Sequence, residues 1–264
     1  LPKDVLAVAG GTPPQRYANQ VVTDLLQTSR HAESSVLIGC QSLVFPSVGE
    51  RAQRRNSLVL ADWRSGQCSI YDKMRLVPWR EADPHAAPAC PVAEPTKYGT
   101  GHSPTQFVLH TANNEEMTFG AALCYDVCFP CHFRQVNRVC AGPPDFYVQC
   151  GSEGQDGGRA LSKMMLRLCQ LRAIENRRPI MRNAQNAYCG VVDGSGRCLS
   201  DSCEALKRPR WIAGIPRDVR GSLYATAGEW VAAAVLLISL LLQLCAMGCL
   251  PALARDIRPP RQLS

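Results

Sequence analysis

The stretch TFGAALCYD, Thr118 to Asp126, followed at once by VCFPCHFR, Val127 to Arg134, decides how the chain is read. Six small or apolar residues run up to Cys124 without a charge, the composition of a buried strand. A tyrosine, an aspartate and soon a proline then break the run. Reactive groups of α/β folds collect at such strand ends, so Cys124 is a candidate nucleophile, although a strand cysteine on its own is more often inert packing. Similar runs lie on either side of it, bounded by turn residues: Val5 to Gly10, Ser35 to Phe45, Asn56 to Asp62 and Asp145 to Cys150. Between them Tyr17 to Ser34 and Ser162 to Arg177 carry helical spacing, the second with a stripe of Met165, Leu168, Cys169, Leu171 and Ile174. Strands alternating with helices predict an α/β domain. The Pro-, Ala- and Gly-rich stretch Arg80 to Ser103 predicts an irregular loop, and GVVDGSGRC, Gly190 to Cys198, a hairpin in which Gly194 and Gly196 permit positive φ.

Composition narrows the function. The chain of 264 residues carries 29 Lys and Arg against 22 Asp and Glu, a net charge of +7. That excess suits an anionic lipid surface or nucleic acid, but the basic residues form short clusters such as Arg51, Arg54 and Arg55, with no aromatic interleaving, so no nucleic-acid partner is expected. The 14 cysteines follow no repeating framework. Cys124, Cys128, Cys131 and His132 form a C-x3-C-x2-C-H group that lacks the second ligand pair of a usual zinc site, so neither a metal nor a cofactor is expected.

Near the end, WVAAAVLLISLLLQLCAMGCL, Trp230 to Leu250, is 21 residues without a formal charge. At about 1.5 Å per residue it covers about 31 Å, the thickness of a bilayer core. The reading is one membrane span over 229–250, a basic cytoplasmic tail over 251–264 with Arg255, Arg258 and Arg261, and the domain 1–220 on the opposite side. No N-terminal signal peptide is visible in Leu1 to Val8.

A second motif is IYDKMRLVPWRE, Ile70 to Glu81, where a strand-like start delivers Lys73 into a proline-bounded turn. An isolated lysine is usually a solvated surface group. Paired with a thiol it acquires a meaning, because a nucleophilic cysteine needs a nearby cation or base, and acyl transfer needs positive charge where the oxyanion develops. Glu81 is the nearest carboxylate by motif.

These strings resemble the apolipoprotein N-acyltransferases. YDKMRLVPWRE is similar to the family's Y-x-K-x-x-L-V-P-F-G-E, GAALCYDVCFP to its strand ending in C-Y-E, RAIENRRPIMRNAQNA (Arg172 to Ala187) to its R-A-x-E-x-x-R-P-x-x-R-x-x-N-x-G, and YATAGEW to its exit into the last helix. The resemblance implies a nitrilase-like αββα sandwich followed by one C-terminal transmembrane helix, in the bacterial cytoplasmic (inner) membrane, with the catalytic domain on its periplasmic or outer face. It implies that Cys124 takes an acyl group from a phospholipid as a thioester, that Lys73 stabilises the oxyanion, and that Glu81 is a supporting glutamate. The acceptor would be the α-amine of the N-terminal diacylglyceryl-cysteine of an apolipoprotein, acylated in the last step of lipoprotein maturation.

Two departures accompany it. VLAVAGGTPP puts Gly10 or Gly11 where the family carries its primary glutamate, which leaves Glu81, Asp126 or Glu153 as the carboxylates in question for the proton. CGSEGQDGG, Cys150 to Gly158, does not resemble the family's S-N-D-x-W-F-G loop. The family also carries several helices ahead of this domain, and Leu1 begins almost at its first strand. The alternatives are an inactive or truncated membrane-tethered homologue that binds lipid or a partner, and a carbon-nitrogen hydrolase in which water replaces the amine.

Overall fold

The structure is a computed structural model, and it describes residues 13–44, 53–78, 80–82, 98–111, 113, 115–139, 142–152, 158–185, 187–199 and 213–246. The Val5–Gly10 strand, Gly10 and Gly11, Glu153, most of the Arg80–Ser103 stretch and the tail from 251 therefore lie outside the described residues. Backbone contacts divide the chain into two units, Leu1–Gly221 and Ser222–Ser264.

The first unit opens with helix α1 (Pro13–His31), followed by strands β1 (Val36–Val44), β2 (Gln53–Ala61) and β3 (Cys68–Asp72). These pair antiparallel in the order β1-β2-β3. A second sheet holds β4 (Gln106–His110), β5 (Glu116–Leu123), β6 (Phe146–Ser152), β7 (Ile180–Gln185) and β8 (Gly190–Val192) in sequential order. In it β5, β6 and β7 run parallel, and β4 and β8 close the edges antiparallel. Helix α2 (Pro130–Val139) fills the crossover between β5 and β6, and α3 (Gly158–Asn176) the crossover between β6 and β7.

The two-residue period of each strand sorts its side chains into layers. Leu58, Leu60 and Tyr71 of the first sheet meet Phe107, Phe119, Ala121, Phe146 and Val148 of the second in one buried cluster between the sheets. Phe107, Phe119 and Phe146 stack across neighbouring strands with centroids 5.0 and 5.3 Å apart. The intervening residues Val59, Ala61 and Cys68 face α1 through Val22, Leu25 and Leu26. On the far side Ala122, Tyr147 and Ile180 pack under α2 and α3, against Phe133, Val136, Met165, Cys169 and Ala173. The order of layers is α, β, β, α.

Three expectations change. The strand ending in Cys124 stops one residue earlier, at Leu123, and Cys124–Cys128 is a 3-10 helix. The buried face of α3 takes in only part of its apolar stripe: Met165 and Cys169 are buried and Leu168 packs against the core, but Leu171 and Ile174 are exposed, while Ser162, Arg172 and Asn176 are buried. Each inward polar side chain has a local role that periodicity does not carry, such as the Ser162 hydroxyl accepting from Tyr188 N at 2.7 Å and Asn176 Nδ2 donating to the Arg172 carbonyl at 2.9 Å. In the hairpin Gly196 takes the left-handed conformation, with φ of 81°. Gly194 instead is held by close approach, since a Cβ there would stand 2.1 Å from Asp218 Oδ2.

Two buried aspartates rivet the sheets together. At one end Asp62, just past β2, accepts from Ser35 Oγ at 2.7 Å and Ser65 N at 2.9 Å, and lies 2.9 Å from Nδ1 of His110 on β4. Burial pushes its carboxyl up, but the bonds from Ser35, Ser65 and His110 outweigh that and hold it well below the usual carboxylate range. The sign follows: a depressed native pKa contributes stability that is present above the unfolded value of about 3.9 and is lost as pH falls from there. Urea midpoints measured from pH 6 down to pH 2.5 are expected to fall less steeply in Asp62→Asn than in wild type, and parallel profiles would refute this role.

The second unit holds α4 (Leu223–Ala227) and α5 (Trp230–Ala246). Ser222 caps α4 by accepting from Tyr224 N, and Gly228 ends it with φ of 61°. The apolar side chains of α5 from Val235 to Leu242 are exposed. Its 17 residues stop at Ala246, and residues 247–250, part of the expected span, lie outside the described region. Among the described residues no helix is long and apolar enough to cross a membrane.

Candidate active site

Lys73 directly follows β3, where an exposed residue would be the default. Instead it is almost fully buried, because its ammonium donates to Glu81 Oε2 at 2.6 Å. A buried charge is tolerable only when paired and hydrogen-bonded. Glu81 itself is held from three directions: it also accepts from Val77 N at 2.8 Å and, on Oε1, from Asn56 Nδ2 at 2.6 Å. The backbone fixes the same group, with Lys73 N donating to the Asn56 carbonyl and Gly101 N to the Lys73 carbonyl, both at 2.8 Å. Gly101 has no room for a side chain, since a Cβ would lie 2.1 Å from the carbonyl oxygen of Asp72. Lys73 and Glu81 are thus one rigid clamp.

Cys124 follows the last residue of β5. Leu123 is still extended, at φ −117°, whereas Cys124 turns to φ of 51° and starts the 3-10 helix. A non-glycine residue in the left-handed region at a sharp strand-to-helix turn is the geometry that lifts a nucleophile out of a sheet, and such conformations gather at functional sites. Cys124 is half-buried at this elbow, and it packs with Cys128 against the cluster under α3.

Asp126 joins the cysteine elbow to the lysine turn. Fully buried, it accepts from Leu123 N at 2.9 Å in the elbow, from Tyr71 Oη at 2.7 Å on β3, and from Arg75 N at 2.8 Å in the Lys73 turn. The elbow and the lysine turn are therefore held by one carboxylate. At Cys128 burial pushes the thiol up, the charge of Cys124 adds to that, and Arg172 and Lys73 pull the other way.

The sequence reading singled out Cys124, Lys73 and Glu81, and the structure puts Lys73 in direct contact with Glu81. Asp126, named there only as a carboxylate for the proton, is a structural tie whose oxygens are engaged by three donors. Asn56 and Gly101 went unnoticed, because each acts through contacts distant in sequence. Among the described residues no group of three or more His, Cys, Asp or Glu side chains is arranged to hold a metal ion.

No family model matches the chain. Over 200 residues it is 26% identical to an apolipoprotein N-acyltransferase of Rhodopseudomonas palustris, a match that takes in 74% of this chain and 36% of that protein. The chain thus spans about a third of the length of the curated relative it matches. Among solved structures, a mutant of the Nesterenkonia AN1 amidase from the nitrilase superfamily aligns with a TM-score of 0.49 at 15% identity, over 75% of this chain and 67% of that one. The crystal structure of a carbon-nitrogen hydrolase from Helicobacter pylori G27 aligns with a TM-score of 0.50 at 13% identity, over 70% of this chain and 63% of that one. The chain has a mixed α/β, nitrilase-like fold, and it bears weak sequence similarity to an apolipoprotein N-acyltransferase.

Proposed function

We propose that this chain carries the catalytic domain of a phospholipid-dependent N-acyltransferase acting on apolipoproteins, with Cys124 as nucleophile. The observation that carries the reading is the left-handed elbow at Cys124, tied by Asp126 to the turn that buries Lys73. In the first half-reaction the thiolate attacks a phospholipid ester, a thioester forms and a lysophospholipid leaves. In the second the α-amine of an N-terminal diacylglyceryl-cysteine attacks the thioester and the thiol is restored. Lys73 supplies positive charge to the oxyanion, and Glu81 keeps its ammonium in place.

The apolar α5 suits lipid surroundings, and its Ser239 hydroxyl is satisfied within the helix by donating to the Val235 carbonyl at 2.8 Å. The domain would be anchored by the 229–250 span in the bacterial inner membrane and face its outer side. Expected products, after incubation with phospholipid and a diacylglyceryl-cysteine peptide, are lysophospholipid and N-acylated peptide in equal amounts. Free fatty acid with unmodified peptide would instead identify a hydrolase.

A specific observation favours a second reading. Glu81 and Asp126 each already accept from three donors, which disfavours either as the acceptor of the thiol proton. Loss of a general base costs about 10²- to 10⁴-fold in rate. A tethered homologue that binds lipid without turnover fits that arrangement, and neither product would then accumulate.

A further inference from the structure

We propose that Asn183, Ser152 and Gln185 form the subsite for the peptide amides of the acyl acceptor, an inference that rests on the acyltransfer reading of Cys124. The argument starts from register. Leu123, Cys150 and Asn183 are partners across the parallel strands β5, β6 and β7, and Ser152 pairs with Gln185 two residues further out. Parallel strands end together, so this row lies at the carboxyl ends of the sheet, where Cys124 follows Leu123.

Strand alternation fixes the face. Leu123, Cys150 and Met181 pack against the cluster between the sheets, as does Met74, the neighbour of Lys73. Asn183 is two residues on from Met181, and Ser152 two on from Cys150, so both stand on that face, beyond the apolar core. Cross-strand contact agrees, for Ser152 Oγ lies 3.3 Å from Gln185 Oε1.

The chemistry of the row changes outward. Cys150 comes first, its thiol pushed up to about 12 by burial and by the charge of Cys189, against the pull of Arg182, so it is neutral at physiological pH. Then come three exposed, uncharged polar side chains. Cys189 Sγ lies 3.8 Å from Asn183 Oδ1, and among the described residues nothing takes up Asn183 Nδ2 or Gln185 Nε2. A row without a cation offers a phosphate no charge pairing. Side-chain amides and a hydroxyl present donors and acceptors together, which is what successive peptide groups require. The acceptor's chain, extending from the amine held at Cys124, is the part of either substrate that carries such groups.

The test uses the full chain in detergent with Cys124→Ala, so that binding is read without turnover. One labelled probe is a short peptide beginning with diacylglyceryl-cysteine, and the other is diacylglyceryl-cysteine methyl ester, which lacks the peptide. Adding Asn183→Ala and Gln185→Ala is expected to weaken the peptide about tenfold, the effect of losing two neutral hydrogen bonds, and to leave the methyl ester bound as before. Unchanged peptide affinity, or equal loss for both probes, overturns the proposal. The rate of acyl-adduct formation from phospholipid, measured with Cys124 present, is the second readout: a tenfold slowing in the double variant would assign the row to the donor instead. If the unsubstituted chain forms no adduct while the double variant still loses peptide selectively, the subsite stands and the acyltransfer reading falls.

Discussion

Lys73→Ala is expected to slow acylation of Cys124 by about 10²- to 10³-fold, the usual consequence of deleting a preorganised donor to an oxyanion in a site shielded from water. The clamp makes the effect specific. Lys73 is buried and locked to Glu81 at 2.6 Å, so its ammonium needs no reorganisation when charge develops on the ester oxygen. Water can replace an exposed lysine, but not one held in a dry wall. The time course of adduct formation on Cys124 measures the effect, and Lys73→Arg helps separate charge from position, because a guanidinium keeps the charge but cannot take the same place beside Glu81. An unaltered rate in Lys73→Ala would remove the lysine from the chemistry.

Asp126→Ala is expected to cost about 3 to 5 kcal/mol of folding stability and to abolish adduct formation even in molecules that remain folded. The cost arises because three donors, Tyr71 Oη, Arg75 N and Leu123 N, lose their acceptor in a dry interior. The loss of chemistry arises because those donors belong to the lysine turn and the cysteine elbow, which then have no common anchor. Asp126→Asn helps separate the two effects, since its amide accepts at one oxygen only and should keep part of the stability. Urea midpoints and adduct formation on the same preparations test both claims, and a fully active Asp126→Ala would refute the coupling.

Much of the layering was legible because burial is periodic. The apolar runs around Ser35–Phe45, Asn56–Asp62 and Asp145–Cys150 became β1, β2 and β6, each within a few residues. Strand β7 was not, since IMRNAQ is neither an apolar run nor a clean apolar-polar alternation, and its inward Arg182 is fully buried, held by Gln149 and by the Tyr188 carbonyl at 2.9 Å. Nor was the break at Cys124, because the apolar run continues through it and a single positive φ leaves no periodic trace. Lys73 and Cys124 could be chosen by motif, but the burial of Lys73 depends on Glu81 eight residues on and Asn56 on another strand, contacts that no local pattern carries. Chemistry-bearing residue types were readable, and the ties that position them were not.

The measurement that tests the central claim most directly is intact-mass spectrometry of the full chain in detergent after incubation with phospholipid, wild type beside Cys124→Ala. The account predicts a mass increase of one acyl chain in wild type, removed by hydroxylamine as a thioester is, and no increase in the variant. An equal adduct on Cys124→Ala, or none on a folded wild-type protein, would contradict Cys124 as the acyl-carrying nucleophile.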